Sequence, residues 1–152
     1  MKLPLATLAL LIAAPVAFAQ EMTVTPAESR AGALGSPDFF TGTVLVAPVF
    51  GPEMGDVSAG EVTFFPGARA AWHTHPAGQK LVILSGTGWV QERGQPKQVV
   101  QAGDVVWCPP GVEHWHGATD TTSMTHFAFQ QAVDGKNVTW GEHVTDAEYA
   151  AE

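Results

Sequence analysis

Residues 71–80 read Ala71-Trp72-His73-Thr74-His75-Pro76-Ala77-Gly78-Gln79-Lys80, and the pattern returns further on as His114-Trp115-His116. On an extended strand, residues i and i+2 project to the same side, so each pair of imidazoles shares a face. Met124, His126 and Ala128 share a face in the same way, which gives a third strand that aims a His at one side. Short apolar or alternating runs surround these stretches, most of them closed by Gly or Pro. Residues 43–50 precede Gly51-Pro52, 57–65 precede Pro66-Gly67, 80–84 end at Ser85-Gly86 and 87–92 end at Arg93-Gly94. Residues 97–100, 105–108, 112–116, 123–130 and 138–143 complete the set. Strands at this spacing predict an all-β sandwich or barrel. In a closed barrel the face shared by the His residues is the lumen or the outside. Residues 146–152 are expected to form one frayed helical turn, and 20–40 an irregular arm with at most an edge strand.

The composition removes several alternatives. A chain of 152 residues suits one domain with a core of its own. Fifteen acidic against seven basic residues give a net charge of −8, and no Lys/Arg cluster is present. That balance excludes a phosphate backbone, and therefore nucleic acid, as the partner. The single Cys108 excludes an intramolecular disulfide and any Cys-rich zinc module. Within Val105-Val106-Trp107-Cys108 it reads as a buried, inert thiol.

The first nineteen residues read as processing, not fold. Met1-Lys2 is a minimal positive start, an apolar run follows to Val16, and Ala17-Phe18-Ala19 has the small-x-small form of a cleavage site. This predicts a secretory signal peptide, residues 1–19, cut after Ala19, with a periplasmic or secreted destination. No later segment approaches transmembrane length, so no membrane association is expected after removal.

His73, His75, Gln79 and His114 together offer imidazoles and one amide oxygen. Such donors suit a borderline divalent metal such as Mn, Fe, Co, Ni or Zn. Three or four protein ligands leave coordination positions open, as a working site requires.

At these residues the chain resembles a known family. Gly67, His73-x-His75, Gln79 and Gly86 resemble the first cupin motif, and Gly103, Pro109-x-Gly111 and His114 resemble the second. Two positions depart from the usual pattern: Gln79 replaces the motif-1 Glu, and Ala118 replaces an Asn after motif 2. Phe40-Thr41-Gly42-Thr43-Val44, Pro66-Gly67-Ala68-Arg69, Ala71 to Pro76, Gly103 to Trp107, His114-Trp115-His116-Gly117-Ala118, Met124-Thr125-His126 and Glu142 to Asp146 are similar to the bacterial manganese-dependent cupin hydroxynitrile lyases. In that group Gln stands at the Gln79 position.

The resemblance implies a single cupin jelly-roll β-barrel over residues 41–145, preceded by the arm 20–40 and followed by the tail 146–152. It implies His73, His75, Gln79 and His114 as ligands of Mn2+, and cleavage of a mandelonitrile-type cyanohydrin to aldehyde and hydrogen cyanide. It also implies a homo-oligomer, a dimer or tetramer. The catalytic base is expected to be His126, which faces the lumen and is not needed as a ligand, with His116 second. Two other readings use the same donors: a metal-dependent dioxygenase of the quercetinase kind, and a secreted metal- or small-ligand-binding module without turnover. In all three the partner is a small molecule. His143 reads as an ordinary surface or core His, Arg69 as a structural ion-pair residue, and Asp104 as part of a turn.

Overall fold

Alternation of apolar and polar residues through 57–64 and 124–131 is the clearest strand signal in the chain, and both segments are strands in the computed structural model, which describes residues 21–151. The expected signal peptide lies outside the described residues. In chain order the strands are β1 (Ala33–Leu34), β2 (Phe40–Thr41), β3 (Val44–Phe50), β4 (Val57–Phe64), β5 (Arg69–Ala70), β6 (His73–Thr74), β7 (Gln79–Glu92), β8 (Gln98–Gln101), β9 (Val105–Cys108), β10 (His114–Ala118), β11 (Met124–Gln131) and β12 (Thr139–Trp140). One short helix, α1 (Asp146–Ala150), follows. The arm contributes β1 and β2 at sheet edges, together with a 3-10 turn at Ala27–Ser29.

The named strands pair antiparallel throughout. One sheet runs β1-β3-β4-β11-β7, with β9 on the free side of the first half of β7. The other carries β8 and β10 on either side of the second half of β7, and β10 is flanked in turn by β5 and β6. The two sheets fold over one another as a jelly roll. Val44, Val62, Phe64, Leu81, Ile83 and Met124 fill the space between their inner faces.

Ser85-Gly86 reads as a turn between two strands, but the structure carries β7 through it without a break. Gly86 holds a φ of 77°, and a Cβ there would overlap the Ser123 carbonyl. Just before it the register with β11 slips by one residue, from Ser85 opposite Thr125 to Ile83 opposite His126. The glycine and the bulge bend one strand so that it serves both sheets.

The segment after β12 crosses the outer face of the second sheet. Val144 packs there against Trp72 and Trp115, with Trp89 and Tyr149 alongside. Buried Arg69 donates from Nε and Nη2 to the Val144 carbonyl at 3.0 and 2.9 Å, and pairs with Asp146 at 2.6 Å. Because Asp146 is exposed, the carbonyl contacts hold this crossing more firmly than the ion pair does. Thr145 and Glu148 close the helix start with a reciprocal capping box. Asp104 accepts from the Gln101 amide at 2.8 Å, as a turn residue.

Gly86→Ala is expected to destabilise the fold by at least about 2 kcal/mol, since both the left-handed φ and the close carbonyl oppose a side chain. Denaturant unfolding measures it; a loss within error of zero would mean that the bend tolerates a Cβ.

Candidate metal centre and its cavity

The β6–β10 pairing sets His73 directly opposite His114. Strand alternation adds His116 on the same face, and the turn after β6 brings in His75. The ring centroids of His73 lie 4.3 Å from His114, 5.2 Å from His75 and 5.1 Å from His116. Gln79 opens β7 beside them, its Oε1 3.1 Å from His114 Nε2. All five side chains are buried. Although β6 ends at Thr74, His75 still turns into the cluster.

Hydrogen bonding separates these imidazoles into two kinds. His73 Nδ1 lies 2.8 Å from the Ala71 carbonyl, His75 Nδ1 2.6 Å from that of Asn137, and His114 Nδ1 2.9 Å from that of Val112. A carbonyl only accepts, so each Nδ1 carries the proton and each Nε2 keeps its lone pair. His75 Nε2 has no hydrogen-bond partner although it is buried. His114 Nε2 and Gln79 Oε1 then meet as two acceptors. A cation reconciles them, while a proton on His114 is opposed by burial, which lowers the pKa of that ring. The donors therefore fit a metal ion. Measured by nitrogen separation, His73, His114 and His116 also form a group suited to one, their ligand atoms lying within 4.8 Å of one another.

His116 and His126 are the second kind. His126 Nε2 lies 3.1 Å from His116 Nδ1, and no backbone carbonyl holds the His116 ring. His116 Nε2 is buried without a partner, and His116 lines a cavity of about 170 Å³. His126 is fully enclosed beneath Phe64 and does not line it. Both expected base candidates are thus brought together, with His116 in front and His126 behind. Phe40, Val46, Val62, Ala128, Val138 and Trp140 form the apolar wall. Sequence reasoning did not single out Asn137 or Val138, which enter from the hairpin that turns at Asp134-Gly135. The hairpin itself is signalled by that Asp-Gly pair.

Comparison with known proteins names the family behind this fold. The family model described as "Cupin domain" matches residues 60–128. The (R)-mandelonitrile lyase of Granulicella tundricola is 50% identical over 129 residues, spanning 84% of this chain and 98% of that enzyme. The chain belongs to the cupin family. Its likeness to that enzyme makes it a lyase-like enzyme. A crystal structure of a cupin-like protein from Thermotoga maritima superimposes on it with a TM-score of 0.75 at 43% identity, covering 79% of this chain and 91% of that one. An acireductone dioxygenase of Trichormus variabilis is 37% identical over 70 residues, which is 43% of this chain and 38% of that enzyme.

In this cupin burial dominates the titration of the site. It pulls His75 and His126 down to about 4, and His73 and His116 well below their ordinary value, with neighbouring imidazoles pushing His73 and His116 further the same way. The remaining expectations fall outside the cavity. His143 is exposed and meets Thr41 Oγ1 at 3.1 Å. Burial raises the Cys108 thiol to about 12, in keeping with an inert core residue.

The cupin is expected to lose its metal on His75→Ala and keep it on His116→Ala, because of these two rings only that of His75 is turned by a backbone carbonyl. Metal analysis of the two purified variants decides this; the reverse pattern would make His116 the ligand. In chelator-treated protein the buried rings stay neutral from their ordinary 6.5 down to about 4, while the unfolded chain takes up protons. The contribution of these rings to stability must then be lost as pH falls through that window. Thermal melts across the range test the sign, and a rise in stability on acidification would contradict it.

Proposed function

We propose that this cupin cleaves aryl cyanohydrins of the mandelonitrile type to an aldehyde and hydrogen cyanide, in a metal-dependent reaction. The observation that carries the reading is His116, whose buried Nε2 has no partner and which lines a cavity together with His73, His75 and Gln79. The half-identical relative named (R)-mandelonitrile lyase supports the same substrate class. The cavity is of a size that accepts a benzene ring, and its Phe40 and Trp140 walls suit an aryl group.

A divalent ion held by His73, His75, Gln79 and His114, manganese ahead of iron, cobalt, nickel or zinc, would supply Lewis acidity toward the substrate hydroxyl. All four donors are neutral, so the protein leaves the charge of the ion uncompensated and the site favours an oxyanion. When His116 Nδ1–H donates to His126 Nε2, His116 Nε2 presents its lone pair to the cavity and takes the hydroxyl proton. The O–H electrons form the carbonyl, the C–C pair departs with the cyanide carbon, and His116 returns the proton to cyanide. No oxidant is consumed. His126 acts through His116 as a positioning residue, which inverts the order expected from strand alternation alone.

The relationship to acireductone dioxygenase over 70 residues favours a second reading, oxygen-dependent cleavage at the same centre. Export of the chain after removal of residues 1–19 belongs to the proposal as well.

Mandelonitrile cleavage by the metal-loaded protein is expected to proceed equally with and without oxygen. His116→Ala should lower turnover by about 100-fold or more. His126→Ala should lower it by about 10- to 100-fold with metal content unchanged. Aldehyde release that requires oxygen would replace the lyase reading with the dioxygenase one.

A further inference from the structure

Gln79 differs from the imidazoles around it in how its ligand atom is chosen. A carboxamide ends in an oxygen and an NH2 group of nearly the same size, and only the oxygen suits a cation. A carboxylate at this position would have no such choice to make. His114 Nε2 by itself favours the wrong end, because its lone pair accepts from an NH2 group. The amide nevertheless turns Oε1 toward His114 Nε2, at 3.1 Å. A partner on the far side of Gln79 must outweigh that preference.

Register supplies one. Gln79, Gln130 and Ser58 lie directly opposite one another on β7, β11 and β4, so their side chains share the inner face of the first sheet. Gln79 Nε2 points to Gln130 Oε1 at 3.5 Å, and Gln130 Nε2 donates to Ser58 Oγ at 3.2 Å. Asn137 Nδ2 reaches the same hydroxyl oxygen at 3.5 Å. With two amides arriving at its lone pairs, the Ser58 hydroxyl sends its own proton to the Gln130 main-chain carbonyl at 3.3 Å.

The row therefore has one direction. Each glutamine gives its nitrogen to the next residue toward β4, and Gln130 shows its oxygen to Gln79. Contacts at 3.5 Å are long, so what they contribute is orientation more than bond strength. Ser58, half-buried and outside the cavity lining, stands where the direction is set. Through Asn137, whose main-chain carbonyl holds the His75 ring, it also ties the hairpin to the same row.

We propose that Ser58 and Gln130 form a directional relay that holds the Gln79 amide with its oxygen toward the metal. Both are positioning residues that act through Gln79. The proposal rests on the metal centre of the preceding reading and not on its substrate, so failure of mandelonitrile cleavage would not bear on it.

Titration of the chelator-stripped full chain with Mn2+, followed by the electron paramagnetic resonance of the free ion, tests the relay. Ser58→Ala and Gln130→Leu should each raise the Mn2+ dissociation constant by about tenfold or more, with circular dichroism unchanged. Ser58→Thr, which keeps the hydroxyl, should retain most of the affinity. In a Gln79→Glu background the first two changes should move the constant by less than about threefold, since both carboxylate oxygens serve equally. Equal losses in the two backgrounds would mean a merely structural role and overturn the proposal, as would unaltered affinity in Ser58→Ala or Gln130→Leu. A parent chain that binds no Mn2+ would overturn it together with the metal-dependent reading.

Discussion

A neutral imidazole has one lone pair to offer, and which nitrogen offers it depends on where the other nitrogen leaves its proton. In this protein three backbone carbonyls make that choice. Ala71 and Val112 each lie two residues before the ring they hold, so the strand ends that place His73 and His114 also set their tautomers. Asn137 does the same for His75 from a distant hairpin. The rest of the site depends on this arrangement. With their Nε2 atoms unprotonated, the rings and Gln79 form a nest of acceptors suited to a cation. His116, lacking such a carbonyl, is left free to exchange a proton with His126.

Much of this could be read from residue order. The His-x-His spacing reports a shared face wherever the backbone is extended, and the two Gly-punctuated motifs carry the donor set in their spacing. What could not be read lies in backbone atoms and in bends. The carbonyl of Asn137 has no side-chain signature. Gly86 has the look of a strand terminator, because the same left-handed conformation serves a tight turn and a strand bend; only the partner strands distinguish them. The depth order of His116 and His126 was also hidden. Alternation assigns a face to each residue, but whether a ring reaches the cavity or is covered by Phe64 depends on which strands are neighbours.

The tail shows how a short, marginal helix is made to persist. With five residues, α1 has little stability of its own, and its capping box satisfies only the amides at its start. The Val144 carbonyl, bound by two guanidinium nitrogens of a buried Arg69, anchors the chain just before it, and Tyr149 closes the other side through its hydroxyl to the Ala118 carbonyl at 2.9 Å. Trp72 and Trp115, the immediate neighbours of His73 and His114, sit beneath this strap. A change in the tail would thus be felt one residue away from His73 and His114, on the far side of the same strands.

The β4–β11 pairing joins Phe64 to Met124 and Val57 to Gln131, segments separated by most of the barrel. During synthesis β3 and β4 can close as a hairpin as soon as they emerge, but the place beside β4 is filled only when β11 has been made. Throughout that interval the chain displays an open strand edge whose inward residues are Val62 and Phe64, with no covering layer. A ribosome-bound fragment that stops short of β11 therefore carries His73, His75, Gln79 and His114 but lacks the strand that joins β4 to β7.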